Sequence, residues 1–450
     1  MAGDDVLGRI DPRLCVACKA ARGLCGIDPC PLLQRVQHHL PKVRVAGKDL
    51  FGSSPPSLFV GRHGYPHVTV GPMLPPEHLD DDRAHRLDDP ASWMDSLTIP
   101  DVVGLRSGLV RTTHRVRVHD ASAPDRITRL SQELAVAARP VDTEVHLSRV
   151  PRFTAAHVGE FTAPHGPTVE VERAQLAENV RVERRVEAVT SDTDLLAQEG
   201  LVDLYRNGTD PYQLERILSA GMLGRGARRR LVPTRWAITA TDDALGKALI
   251  GQVRDLPTVD GPVVHAAERF GNRFFVLLLP RVWGFELVEA WLKGSFWALA
   301  GPRGDAAAPA VPMGPAAPPG PSMPSAPSAP RAGPVLASDH EDHRGRTAYA
   351  ANTTGGYYAT RIAVLEHLIR IRCQAAAVVL REITDAYTTP LGVWVVREAC
   401  RRAMAAPGLP FEDAGSALRH IRRHARSPEW EAEAPFLRTA LRQRTLDGFP

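Results

Sequence analysis

Apolar residues are distributed differently in successive parts of the chain. Around residues 57 to 74 and 105 to 119, runs such as SLFVGRHGYPHVTVGPM and LVRTTHRVRV are rich in Val and Thr and punctuated by glycine, the habit of β-strands. RWAITAT (235–241) and FFVLLL (274–279) add two further strand-like runs, while VDLYRNGTDPYQLERILSAGML reads as a turn followed by a helix. Residues 50–300 are therefore expected to form a mixed α/β body. Beyond it, ATRIAVLEHLIRIRCQAAAVVLREITDAY repeats apolar residues at three- and four-residue spacing, and GVWVVREACRRAMAA continues the habit. This predicts a mainly helical region over 336–442. A last helix, APFLRTALRQ, leads into a flexible tail, 443–450, where Gly448 and Pro450 oppose regular helix. The class predicted is α+β.

Between the body and the helical region, residues 301–335 are almost entirely Ala, Pro, Gly and Ser, with PAAPPGPSMPSAPSAP at the centre. Such a stretch has too few large apolar side chains to fold alone, so it is either a disordered linker or a long insertion. The first 49 residues are set apart by chemistry instead, because they hold four of the six cysteines.

Composition narrows the function classes. Hydrophobic residues make up 44% of the 450, enough for true cores, and 55 basic against 51 acidic residues leave a formal net charge of +4. A surface that balanced does not attract nucleic acid as a whole, so any such contact must come from local patches. No run of about 18 apolar residues could span a bilayer, and the opening MAGDDVLGRID lacks the apolar core of a secretory signal. A cytoplasmic protein without membrane contact is expected.

The spacing Cys15-x2-Cys18-x6-Cys25-x4-Cys30 gives two close cysteine pairs on short loops, with Gly23, Gly26 and Pro29 available for tight turns. Four thiolates so placed suit a structural, tetrahedral zinc site, with no coordination position left for catalysis. An iron–sulfur cluster would use the same ligands, and spacing alone does not separate the two. Cys373 and Cys400 lie apart in helix-like sequence and read as core residues.

In the tail QRTLDGFP, Gln443, Leu446 and Phe449 fall three residues apart. In one 3₁₀ turn they project on one side. Leu446 and Phe449 would then make a two-pronged apolar plug, and the Gln443 amide could bond to backbone at a pocket rim; the bland alternative is a frayed end.

Basic residues gather in GRGARRR, where Arg225, Arg228, Arg229 and Arg230 could follow phosphates or simply be solvated. Arg419, Arg422, Arg423 and Arg426 form a second candidate patch. Asp242 and Asp243, directly after RWAITAT, together with Glu286 and Glu289 in WGFELVEAW, are candidate divalent-metal ligands for phosphodiester chemistry. The competing reading makes Thr241 or Asp242 a helix N-cap. His63 and His67 are separated by Gly64 and Pro66, cannot share a helix face, and read as loop residues.

Several blocks, in one order, resemble the Nre DNA repair proteins: LCGIDPCPL, FVGRHGYPHVTVGPM, LVPTRWAITATDD, TTGGYYATRIAVLEHL, GVWVVREACR and QRTLDGF. The resemblance implies participation in DNA damage repair, with the terminal peptide binding the sliding clamp PCNA through Gln443, Leu446 and Phe449; no defined reaction comes with it. A full clamp motif would place a second aromatic after Phe449, where this chain has Pro450. A bacterial β clamp would be the alternative ring. The expected function is thus a clamp-recruited repair factor contacting DNA near the nucleoid, its rivals a metal-dependent enzyme acting on nucleic acid and a clamp-bound scaffold without DNA contact.

Overall fold

A computed structural model describes residue 7, residues 10–20, 22–28, 30–34, 43, 45–154, 156–299 and 333–442. Two six-stranded sheets organise it. The first contains β1 (Asp49–Ser54), β2 (Leu58–Val60), β3 (His67–Leu74), β4 (Val110–Arg117), β5 (Val141–Leu147) and β6 (Thr168–Leu176), in the order β1-β5-β6-β4-β3-β2. Only β4 and β6 are parallel. The second contains β7 (Val263–Arg269), β8 (Asn272–Leu279), β9 (Gly284–Trp291), β10 (Val335–Glu341), β11 (Ala376–Ile383) and β12 (Leu409–Pro410), in the order β10-β9-β11-β8-β7-β12. Here β9 and β11 are the parallel pair.

The helices used below are α1 (Pro12–Cys18), α2 (Arg126–Val136), α3 (Pro211–Ser219), α4 (Thr234–Val253), α5 (Gly355–Ile371), α6 (Trp394–Ala405), α7 (Ala414–His424) and α8 (Pro435–Arg442). The second sheet is covered on both faces. On one face Phe285, Leu287 and Trp291 join the main core with Leu245 of α4, Ile362 of α5 and Val395 of α6. On the other, Val288 and Ala290 pack with Leu418 and Ile421 of α7 and Leu437 of α8. The first sheet packs Val145, Val169 and Val171 against Ile127, Leu130 and Leu134 of α2.

The mixed α and β content is as expected, with two corrections. RWAITAT is not a strand. It is the start of α4, because Ala237, Ile238, Leu245 and Leu249 recur on one helical face and are buried. The long helical reading after residue 359 also fails at its second half. Helix α5 stops at Ile371, where Arg372 turns left-handed (φ 56°) and its N–H caps the Leu368 and Ile369 carbonyls. AAVVLREI then forms β11, whose apolar run lacks alternation because every residue is buried between two helical layers. The C-terminal region is thus helical but also supplies β10, β11 and β12 to a sheet shared with the body. The Ala/Pro-rich segment, of which residues 301–332 lie outside the described residues, separates β9 from its hydrogen-bonded neighbour β10.

Cys400 is fully buried as expected, whereas Cys373 is only partly covered. Among the described residues no helix is long and apolar enough to cross a membrane.

Candidate functional site

The cysteine module is built on a short helix. Asp11 caps α1 by accepting the Arg13 N–H at 2.8 Å, and Pro12 occupies the first turn, where its missing N–H costs nothing. Cys15 and Cys18, one turn apart, are both buried. The chain then reverses through left-handed Lys19 and Ala20 and through Gly23 and Gly26 (φ 62° and 71°), bringing back half-buried Cys25 and Cys30. Burial pushes the Cys15 thiol up to about 12, and Cys25, Cys30 and Cys18 raise it further by opposing a second negative charge. Among the described residues, no three His, Cys, Asp or Glu side chains already stand in a metal-holding group.

Lys19 fastens this module to the second sheet. Its buried Nζ donates to Glu289 Oε2 at 3.0 Å, lies 3.5 Å from Glu160 Oε1, and sits over the Trp291 ring at 5.1 Å. Arg381 completes the charge balance at Glu289. Burial raises the Glu289 carboxyl, but Lys19 and Arg381 outweigh it and hold the group below its ordinary range.

The other acidic candidates do not converge. Asp242 faces the core from the middle of α4, where both its oxygens accept from Arg397 at 2.8 Å; Arg397 also donates to Glu215 of α3. Asp243 serves Arg361 at 2.8 Å and Lys247 at 2.6 Å. Glu286 and Glu289, three apart on a strand, point to opposite faces of the sheet. Glu286 accepts the N–H groups of Phe436 (3.1 Å) and Leu437 (2.9 Å), so it caps the start of α8. A single metal shared by Asp242, Asp243 and Glu286 is incompatible with these positions. The helix-cap reading of Asp242 is corrected as well, since α4 begins eight residues earlier, at Thr234.

Of the arginine loop, Arg225, Arg228 and Arg230 are exposed. Arg229 folds back instead, donating to the carbonyls of Gly224 (2.8 Å) and Asp192 (2.6 Å). In the second patch Arg422 is bound through two nitrogens to Glu431. His63 and His67 are exposed beside the β2–β3 turn, and His67 accepts from Arg117. Gln443, Leu446 and Phe449 lie outside the described residues; α8 ends at Arg442, immediately before them.

A further feature has no counterpart in the sequence reading. A cleft of about 610 Å³ opens where several separate stretches of chain meet. The β2–β3 turn contributes Arg62, the first two turns of α4 contribute Arg235, Trp236 and Thr239, the loop after β10 contributes Arg346 and Tyr349, and the cysteine module contributes Arg22. Tyr65, in the same turn as Arg62, places its ring 5.2 Å from Trp236. Arg235 lies flat over Phe161 at 3.6 Å. Burial, reinforced by Arg62, brings the Arg235 guanidinium down to about 10, still cationic at neutral pH. The blocks GRHGYP, PTRWAITATDD and TTGGYY, hundreds of residues apart, meet in this region. Single arginines scattered among apolar runs gave no sequence signal of a patch.

Two family models match the chain: Archaeal Nre, N-terminal, over residues 24–298, and Archaeal Nre, C-terminal, over residues 341–449. The chain belongs to the Nre family. The interval between the two matches contains the Ala/Pro-rich segment. Among its relatives in the family, the chain is 37% identical to DNA repair protein NreA of Haloferax volcanii over 84% of this chain and 83% of that one. It is 35% identical to DNA repair protein NreA of Archaeoglobus fulgidus, over 93% and 95% of the two chains. DNA repair protein NreB of the same organism is 32% identical over 97% and 99%. No solved structure matches the chain.

Proposed function

We propose that this Nre protein is a DNA repair factor that contacts DNA through its α/β body and is tethered by a sliding clamp bound to residues 443–450. The observation carrying this reading is the likeness, nearly end to end, to relatives named DNA repair proteins. The basic, aromatic-lined cleft supports a direct DNA contact, and the exposed Arg225, Arg228 and Arg230 would add sequence-independent attraction to phosphates. Such a protein works at cytoplasmic DNA.

Gln443, Leu446 and Phe449 would dock on a PCNA-type ring, or on a β clamp if the host has one. Glu286 supports this reading by fixing α8, from which the tail departs. Tethering raises the local concentration of the body at DNA without any further contact. Cys15, Cys18, Cys25 and Cys30 would hold a structural zinc ion, which supplies a cross-link in a segment otherwise short of core. Lys19, beside them, would transmit that order to the sheet.

Calorimetric titration of the host's clamp tests the tether. An exposed peptide this short should bind on the order of micromolar, about −8 kcal/mol. Leu446→Ala with Phe449→Ala, or a chain ending at Arg442, should lose binding while melting normally. Equal affinity of all three proteins would overturn the docking claim.

A further inference from the structure

We propose that the cleft beside α4 binds one unpaired nucleotide of a DNA strand, with Arg22 and Arg235 on its phosphate and Trp236 stacked on its base. This rests on the reading of the chain as a DNA-contacting protein and names what the body recognises.

Charge supplies the first argument. Of the fourteen residues lining the cleft, five are basic (Arg22, Arg62, Arg235, Lys247, Arg346) and one, Asp243, is acidic. In the whole chain, by contrast, the two signs nearly balance, at 55 to 51. Asp243 is already engaged by Arg361 and Lys247, and Arg346 by Asp339 at 2.9 Å. Among the described residues Arg22 donates to the Ala351 carbonyl at 2.8 Å, Arg235 lies over the Phe161 ring, and neither has a carboxylate within ion-pair distance. Arg62 and Arg22 each disfavour the cationic form of Arg235, while Tyr349 and Glu160 favour it. A concave site with excess guanidinium charge is matched by an anion with several acceptor oxygens. Arg235 also stands in the first turn of a twenty-residue helix whose N-cap, Pro233, offers no side-chain acceptor, so the positive end of the helix dipole faces the same side.

Aromatic exposure supplies the second. Tyr65, Trp236 and Tyr349 are 49%, 43% and 49% exposed, and all three stand at this cleft or against its wall. Tyr349 is braced by Tyr358, the ring centroids 5.7 Å apart and nearly parallel. Rings held in place yet left open to water offer flat π-faces, on which any base can stack.

Together these features select the ligand. A free phosphate would use the arginines but leave the rings idle, and a paired duplex covers its base faces with neighbouring pairs. An unpaired or extruded nucleotide carries both a phosphate and a bare base face. The cleft volume lies within the range of about 300–1,000 Å³ usual for sites of such ligands. Hydroxyls of Thr239 and Thr347 on the wall can reach base edges.

Fluorescence anisotropy and 2-aminopurine emission test this with the full-length protein, using a short single-stranded DNA containing 2-aminopurine and its fully paired duplex. Wild type should prefer the single strand and quench the probe. Trp236→Ala should weaken single-strand binding about 5- to 100-fold and abolish quenching, and Trp236→Phe should restore most of both. Arg22→Ala with Arg235→Ala should flatten the salt dependence by about 0.7 for each phosphate no longer neutralised. Circular dichroism melts establish that each variant is folded. Unchanged single-strand affinity and quenching in Trp236→Ala would overturn the proposal, as would tighter binding of RNA of the same sequence. Duplex binding that survives every variant would overturn the cleft assignment alone, whereas no binding of either DNA by wild type would overturn the DNA-contact reading with it.

Discussion

Arg397→Met removes the cation bonded to both Asp242 and Glu215 in a buried cluster of charges and measures how far the helical layer depends on it. Arg397 is wholly inaccessible, as is Asp242, while Glu215 is 8% exposed. Burial pushes both carboxyls above their ordinary range, and Arg397 opposes that push. At the 2.8 Å separation of Arg397 and Asp242, an effective dielectric constant of 20 gives a gross attraction of about 6 kcal/mol. Some of the loss is recovered because the orphaned carboxyls take up protons, so the net cost at pH 8 should be about 3–5 kcal/mol. Carboxyls with raised folded pKa values contribute most to stability when protonated, below their unfolded pKa, and that contribution is lost as pH rises through the folded value. Without Arg397 the folded values rise further. The gap between wild type and variant should therefore be widest at pH 8 and shrink by pH 5.5 to roughly the 1–2 kcal/mol of the lost hydrogen bonds. Urea titration at both pH values, followed by tryptophan emission, reads this as a midpoint shift of about 1 M or more at pH 8. Adding Asp242→Asn and Glu215→Gln should restore much of the midpoint. A loss below about 1 kcal/mol at pH 8, or an equal loss at both pH values, would refute the reasoning.

Two further outcomes are expected. Burial pushes Glu286 up to about 7 from 4.5 despite the helix N–H groups it accepts, so its contribution is complete below 4.5 and lost as pH rises through 7; Glu286→Gln should flatten this part of the pH–stability profile and stabilise the protein at pH 8 by up to about 3 kcal/mol, measured by urea midpoints from pH 4 to pH 8. Metal analysis of the purified protein should find one zinc per chain, lost in Cys15→Ser with Cys30→Ser, and iron in its place or full retention in that variant would contradict the assignment.

What could be read from the sequence follows physical range. Strands β3, β4 and β8 announce themselves through local runs, and α5 through a repeat sustained over seventeen residues. A short window is ambiguous: RWAITAT is rich in aromatic and β-branched residues, and only the register of Leu245 and Leu249 beyond it reveals α4. Strand β11 was absorbed into a helix because a strand buried on both faces has no period of two. Asp242 and Arg397 lie 155 residues apart, so nothing local tells that the carboxylate is a structural counter-charge. The cleft makes the same point in reverse. GRGARRR is conspicuous in sequence, yet Arg229 is spent on backbone carbonyls, while Arg22, Arg62 and Arg235 become one patch only through folding.

The central claim is that the chain acts in DNA repair, and survival of the host after DNA damage tests it most directly. A strain lacking this chain would be exposed to ultraviolet light, an alkylating agent and a cross-linking agent, with wild-type protein or the chain ending at Arg442 returned at normal abundance. Heightened sensitivity to at least one agent, full rescue by wild type and incomplete rescue by the truncated chain are expected. Survival of the deletion strain equal to that of its parent under all three agents would contradict it.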